Sequence, residues 1–292
     1  MRLLSVLRHS IVSRIIGAAM VVFLSGCSAI QTGYQLAPNL LYFWLDGYLD
    51  LDESQTPIVR ASLQQLEDWH RREELPAYAK LVRDLQQLAP QNITPAQMCT
   101  VVSQVREGMQ RIGAQVAPGF ARLAPTLTET QFTHLQRQWD KHNATWREEW
   151  LEGTPDALLS RRMERMQGYL EDFYGRLSDA QMKLLRQRMS DSGYEPQQAW
   201  AERQRRQRDM LQVLRAQRST PPGQRLSEMQ ALVRRTLTPP DPLPRAHMEL
   251  GLQQTCITLA ALHNSASPAQ RKQLAERLRK YETDFMTLAE GR

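Results

Sequence analysis

Five times along the chain the same four-residue chemistry recurs: Asp52-Glu53-Ser54-Gln55, Thr94-Pro95-Ala96-Gln97, Thr128-Glu129-Thr130-Gln131, Ser178-Asp179-Ala180-Gln181 and Ser267-Pro268-Ala269-Gln270. Each sets an Asp, Ser or Thr oxygen three residues before a glutamine. In that arrangement the oxygen accepts an orphan N–H of a helix's first turn, and the amide reaches back to the cap's own N–H. Pro95 and Pro268 take the first helical position, where a missing N–H removes nothing. Leu51, Ile93, Leu127 and Leu177 precede four of the caps as the apolar half of a hydrophobic staple.

Behind these starts the apolar residues repeat every 3.6 positions rather than every two. Val59, Leu63, Leu66 and Trp69 form one stripe, continued beyond an expected kink or break at Pro76 by Tyr78, Leu81, Leu85 and Leu88. Phe132, Leu135, Trp139, Trp146 and Trp150 form another. Leu159, Met163, Met166, Leu170 and Phe173 follow, then Met182, Leu185 and Met189, and finally Leu274, Leu278, Tyr281, Phe285 and Leu288. With no strand-like alternation to compete, the pattern predicts an all-α, multi-helix bundle of about eight to ten helices. Ala117-Pro118-Gly119 and Pro221-Pro222-Gly223 read as short loops, and Thr238 to Pro244 (TPPDPLP) as a non-helical crossing.

The N-terminus carries a different message. Arg2, Arg8 and Arg14 precede an apolar run from Ile15 to Leu24, and Leu24-Ser25-Gly26-Cys27 closes it. That run spans only about 15 Å as a helix, half a bilayer core, so it reads as a cleaved signal rather than a retained anchor. The closing pattern resembles the lipobox of bacterial lipoprotein precursors. The resemblance implies removal of residues 1–26 and lipidation of Cys27. Ser28 then stands in place of the aspartate that retains such proteins at the inner membrane, so the implied destination is the outer membrane, facing the periplasm. Residues 27–38 read as a lipidated tether, its stretch 31–38 short and polar, and 39–292 as a single all-α periplasmic domain.

Residues 1–26 hold three arginines and no acid, so the formal charge of +6 falls to +3 for the mature chain, too mild to point to nucleic acid. With Cys27 acylated, two cysteines remain, Cys99 and Cys256. Both lie on apolar helical stripes, Cys99 with Val102, Val105, Met109, Ile112 and Val116, and Cys256 with Leu252, Leu259 and Leu262. In an oxidising compartment they form a disulfide or stay as two separate buried thiols.

Candidate binding features are few. Trp139, Trp146 and Trp150 share a helix face, read as core or as an aromatic groove for a lipid tail or peptide. From Pro196 to Arg218 a helix carries Arg203, Arg205, Arg206 and Arg208, which either meet acids elsewhere in the fold or face anionic lipid or an acidic protein partner. The run Leu40 to Leu45 reads as core in preference to a bilayer-docking segment, because Asp46, Asp50 and Asp52 follow it at once. A single E-x-x-H, Glu67 to His70, lacks the partner that a di-iron bundle needs, and no zinc helix, nucleophile elbow or phosphate loop occurs.

Trp44-Leu45-Asp46-Gly47-Tyr48-Leu49-Asp50-Leu51-Asp52 and Trp69 to Tyr78 (WHRREELPAY), with Leu262 to Ser265 and Ser267 to Tyr281, resemble a family of Gram-negative lipoproteins built on a domain of unknown function. The resemblance implies a helical fold at the outer membrane and transfers no catalytic residue. Leu127 to Gln131 and Leu177 to Gln181 are more loosely similar to the LTxxQ motif of Spy-like periplasmic chaperones, which bind unfolded clients. The expectation is therefore a non-enzymatic envelope module without cofactor or metal, binding protein, peptide or envelope lipid. The alternatives are a Spy-like holdase, an envelope-lipid binder acting through the arginine-rich helix, and an envelope enzyme using His70 and Glu74.

Overall fold

A computed structural model describes residues 29–291. Cys27, Ser28 and the segment before them lie outside the described residues, so the lipidation and sorting positions are not placed. The described chain forms α1 (Ala29–Leu49), α2 (Thr56–Trp69), a π-turn (His70–Glu74) and α3 (Leu75–Leu88). Then come α4 (Pro95–Leu123), α5 (Glu129–Trp150), α6 (Pro155–Tyr174), α7 (Asp179–Ser190) and α8 (Pro196–Ala216), followed by α9 (Pro222–Leu237), α10 (Pro242–Asn264) and α11 (Pro268–Ala289). Among the described residues there is no strand. Because α2 runs into α3 through the π-turn, the eleven helices make ten separate rods.

All five expected capping pairs are made. Thr94, Thr128, Ser178 and Ser267 each accept the N–H three residues on, and the matching glutamine accepts the cap's own N–H. At the fifth, Gln55 N–H donates to Asp52 Oδ1 and Asp52 N–H to Gln55 Oε1, although regular helix begins only at Thr56. Four of these glutamines also have a second role. Gln55 and Gln131 exchange amide hydrogen bonds at 3.2 and 2.6 Å, and Gln181 and Gln270 do so at 3.0 and 3.1 Å. The starts of α2 and α5 are thus locked side by side, as are those of α7 and α11. Gln55 and Gln131 are buried, so each amide that caps a helix also satisfies its neighbour.

The 29-residue α4, roughly 43 Å long, joins two core regions. At its C-terminal end Ala117, Ala121 and Leu123 pack with Tyr42, Leu49, Val59, Leu63, Phe132, Leu135, Leu214 and Leu232. Nearer its N-terminus, Cys99 is disulfide-bonded to Cys256 of α10. Around that end lie two further clusters, Met163, Leu170, Leu177, Leu185, Met189 and Leu262, then Ala89, Leu274 and Leu278. Close helix approach depends on glycine. A Cβ at Gly113 would sit 2.6 Å from Val233 of α9, and one at Gly119 would sit 2.9 Å from Ser62 of α2.

Several local expectations are corrected: Pro222 and Gly223 open α9 and Pro242 to Pro244 open α10, so the loop readings hold only for Pro221 and for residues 238–241. Ala117-Pro118-Gly119 is not a loop but the interior of α4. Proline costs a helix interior about 3 kcal/mol, yet α4 runs through it, with Ala117 fully buried and Gly119 close against Ser62. Residues 31–38 are not a free tether but the first turns of α1, held by Gln31 on Asp284 and Tyr34 on His70. On the stripe that carries Cys99, Val105 and Met109 are 49% and 54% exposed, because α4 turns its other sides to α2, α9 and α10. The run Leu40 to Leu45 is core on one face only, as detailed next.

Candidate functional site

The helix nearest Cys27 is apolar on both faces. Tyr42 and Leu49 are buried and Leu45 packs beside them, against α2 and α5. On the opposite side Leu36, Leu40, Phe43 and Trp44 are 51%, 59%, 63% and 59% exposed, and Leu41 at the edge is 42% exposed. The positions 36, 40, 43 and 44 fall on one stripe at helical spacing, and from Ala29 to Leu45 the helix bears no charged residue. The acids that follow are occupied with ending it. Asp46 Oδ1 accepts the N–H of Leu51, Asp50 takes a left-handed φ of 49°, and Asp52 Oδ1 accepts the N–H of Gln55 in the turn that leads into α2.

Beneath the first turns of α1 lies the π-turn. Pro76 has no N–H to give and its ring would crowd the carbonyl four residues back. Pairing shifts accordingly, and Leu75 N–H donates to His70 O, five residues back. The extra residue turns His70 toward α1, where its Nδ1 lies 3.0 Å from Tyr34 Oη. Burial pushes the His70 imidazole below its usual value against the pull of Glu74, and pushes Tyr34 up to about 12. Arg71 stacks 5.0 Å over Tyr34 and donates to Glu67 and to Leu288 O. Glu74, 1% exposed, is gripped through both oxygens by Arg111, and this bond raises the guanidinium's pKa. His70 and Glu74 therefore sit in a closed network rather than converging on an open cleft. Glu67, the other half of the E-x-x-H, is committed to Arg71.

A second polar corner explains Leu262-His263-Asn264-Ser265. Leu262 is core, and His263 bridges Tyr174 Oη at 2.9 Å and Gln91 O at 2.8 Å. Asn264 pairs with both backbone groups of Ile93, and Ser265 receives Gln181. Arg271 adds Pro90 O and Asn92, so the loop between α3 and α4 is stapled to the α10–α11 corner. Beside it lies an apolar pocket of about 240 Å³, lined by Leu85, Met98, Val101, Met166, Phe173 and Leu278 among others.

A family model matches residues 47–237, from the end of α1 to the end of α9. The chain belongs to DUF6279, a family of unknown function. No curated protein and no solved structure matches it. The DUF6279 region contains Cys99 but not Cys256, so the disulfide ties helix α10, beyond the matched residues, back to α4 within them.

The remaining sequence candidates are dispersed through the DUF6279 region. Trp139 packs on the first core, Trp146 stacks on Trp200 at 5.4 Å, and Trp150 lies under Arg165 at 4.5 Å. No continuous aromatic groove joins the three. On α8, Arg203 donates to Asn143, Arg205 holds Glu202 and Asp209, and Arg206 holds Glu202. Burial raises Glu202, but Arg205 and Arg206 outweigh it and leave its pKa depressed. Arg215 and Arg218 both reach Glu129 on α5. Of the four binding candidates on α8, Arg208 is the exposed one. No three His, Cys, Asp or Glu side chains among the described residues are placed to hold a metal ion. For the exposed face of α1, the sequence ranked bilayer docking of Leu40 to Leu45 behind core, and the pocket was not read from it at all. The absence of charge between residues 29 and 45 signalled the first, and no local pattern signalled the second.

Proposed function

We propose that the protein is a lipid-anchored outer-membrane lipoprotein whose helical domain faces the periplasm and binds a partner rather than catalysing a reaction. One observation carries this reading: once the lipobox cysteine is set aside, the two cysteines left are bonded to each other. A bond across 157 residues belongs to an oxidising compartment. The closure of Glu74 by Arg111 and of Glu67 by Arg71 supports binding over catalysis, because neither carboxylate is free to act on a substrate. Mass spectrometry of the protein from native membranes tests the anchor. A first residue of acylated Cys27 is expected, and an unmodified or uncleaved terminus would refute it.

The pocket favours a second reading, an envelope-lipid binder that takes one acyl chain. Its lining is nearly all apolar, and His263 in its wall is already satisfied by Tyr174 and Gln91. Leu170→Trp should fill the space and abolish uptake of a fluorescent fatty acid, whereas equal uptake by both proteins would exclude the site.

A further inference from the structure

We infer that the outer face of α1 is a second membrane contact, lying in the plane of the bilayer that holds the lipid anchor and fixing the orientation of the bundle above it. A helical run that is apolar all round, as Leu40 to Leu45 is, is normally covered all round, and here the protein covers one side. Leu36, Leu40, Phe43 and Trp44 remain more than half exposed, while the opposite side rests on the core through Tyr42 and Leu49. The occupant is a lipid surface because of where the chain leads. Cys27 precedes the first described residue by two positions and Leu36 by nine, so an acyl chain on Cys27 places the stripe at the headgroup level.

Charge placement agrees. The uncharged stretch ends at Asp46, and this side chain is tied to Leu51 N–H at the end far from Cys27. Along the flank, exposed Arg60 donates to Asn39 and lies 4.0 Å over the Tyr42 ring, which sets a guanidinium beside the apolar strip where lipid phosphates would lie. Such a helix rests about 5–10 Å into the headgroup and acyl boundary. Several acyl chains on Cys27 suffice to hold the protein at the bilayer, so what the second contact adds is orientation.

The inference rests on the lipoprotein reading for the nearness of the bilayer, and the experiment separates the two. The lipidated protein is reconstituted into phosphatidylethanolamine and phosphatidylglycerol vesicles containing phospholipids brominated on their acyl chains. The Trp44 signal is taken as the difference between wild type and Trp44→Phe, and quenching of that signal by about half or more is expected for a residue at this depth. An acylated Cys27 with unquenched Trp44 would overturn the inference and leave the anchor standing.

In parallel, residues 27–292 carrying Cys27→Ala are floated with the same vesicles. Flotation that persists in high salt and is lost in Leu40→Ser/Phe43→Ser supports an apolar contact, whatever the state of Cys27 in the native protein. No flotation of the Cys27→Ala form, together with concentration-dependent dimers abolished by Phe43→Ser, would assign the face to a second copy instead. Both substituted positions are exposed, and an unchanged helical circular dichroism spectrum verifies that the fold is kept.

Discussion

Removing the Cys99–Cys256 bond should destabilise the domain by several kcal/mol, because of how much chain it closes. The bonded cysteines are 157 residues apart, a closure worth about 5 kcal/mol on the chain-entropy account. At this domain size each kcal/mol moves the thermal midpoint by about 2–4 °C, so the loss should lie between about 10 and 20 °C. Two perturbations distinguish the tether from the packing. Reducing the wild type removes the tether and keeps both sulfurs, whereas Cys99→Ala/Cys256→Ala removes both. Cys256 is 1% exposed, so the alanine variant should melt slightly below the reduced wild type as sulfur contacts are lost. Differential scanning fluorimetry at matched concentration reads all three. A drop of under about 3 °C on reduction would refute the entropy argument. Two alkylatable thiols in the unreduced, denatured native protein would refute the bond itself.

Three further outcomes follow from local geometry. Arg111→Met should cost about 3 kcal/mol in urea unfolding, the low end for breaking a buried pair because Arg111 is itself 47% exposed, and Glu74→Gln in the same chain should recover much of it; a single-variant change under about 0.5 kcal/mol would sink the reasoning. Gly113→Ala gains about 1 kcal/mol of helix propensity but drives a methyl to 2.6 Å from Val233, an overpacking of about 1–3 kcal/mol. It should therefore destabilise alone and stabilise together with Val233→Ala, and a stabilising single variant would refute the close approach. His70 and His263 are both pushed below their usual value by burial, so the unfolded chain takes up protons first. Their contribution should be complete above about pH 6.5 and should fall as pH drops from there toward the depressed folded values. His263→Gln should flatten that slope, and an unchanged slope would count against it.

What was legible in the sequence was whatever is decided within one helical turn. The cap of α5 needs only Thr128 and Gln131 three residues apart, so residue identity and spacing are enough to find it. The pairing of Gln131 with Gln55 was not legible, because nothing local says which two helix starts lie together across 76 residues. Pro118 misled for the converse reason: its local message is a break, and packing around Ala117 and Gly119 overrides it. The Trp139, Trp146 and Trp150 spacing was real, but their partners on other elements dispersed them. The resemblance drawn from the WLD and WHRREELP stretches pointed to a domain of unknown function. The family match covers the second stretch and the first from Gly47 onward.

Two of the stretches that carried the resemblance, WLDGYLDLD and WHRREELPAY, converge on the attachment of α1. The π-turn, forced by Pro76, aims His70 at Tyr34, and Arg71 of the same turn covers Tyr34 while holding the last turn of α11 through Leu288 O. At the far end of α1, the acidic residues from Asp46 to Asp52 end that helix and start α2. Side chains hold α1 at both ends, while its outer face keeps Phe43 and Trp44 in the open. A fold that needed α1 only as a spacer would not immobilise it, and one that needed it only as core would not leave half its apolar surface bare. Rigid attachment with an uncovered apolar face is the combination expected of a helix that transmits the orientation of the surface it rests on to the bundle behind it.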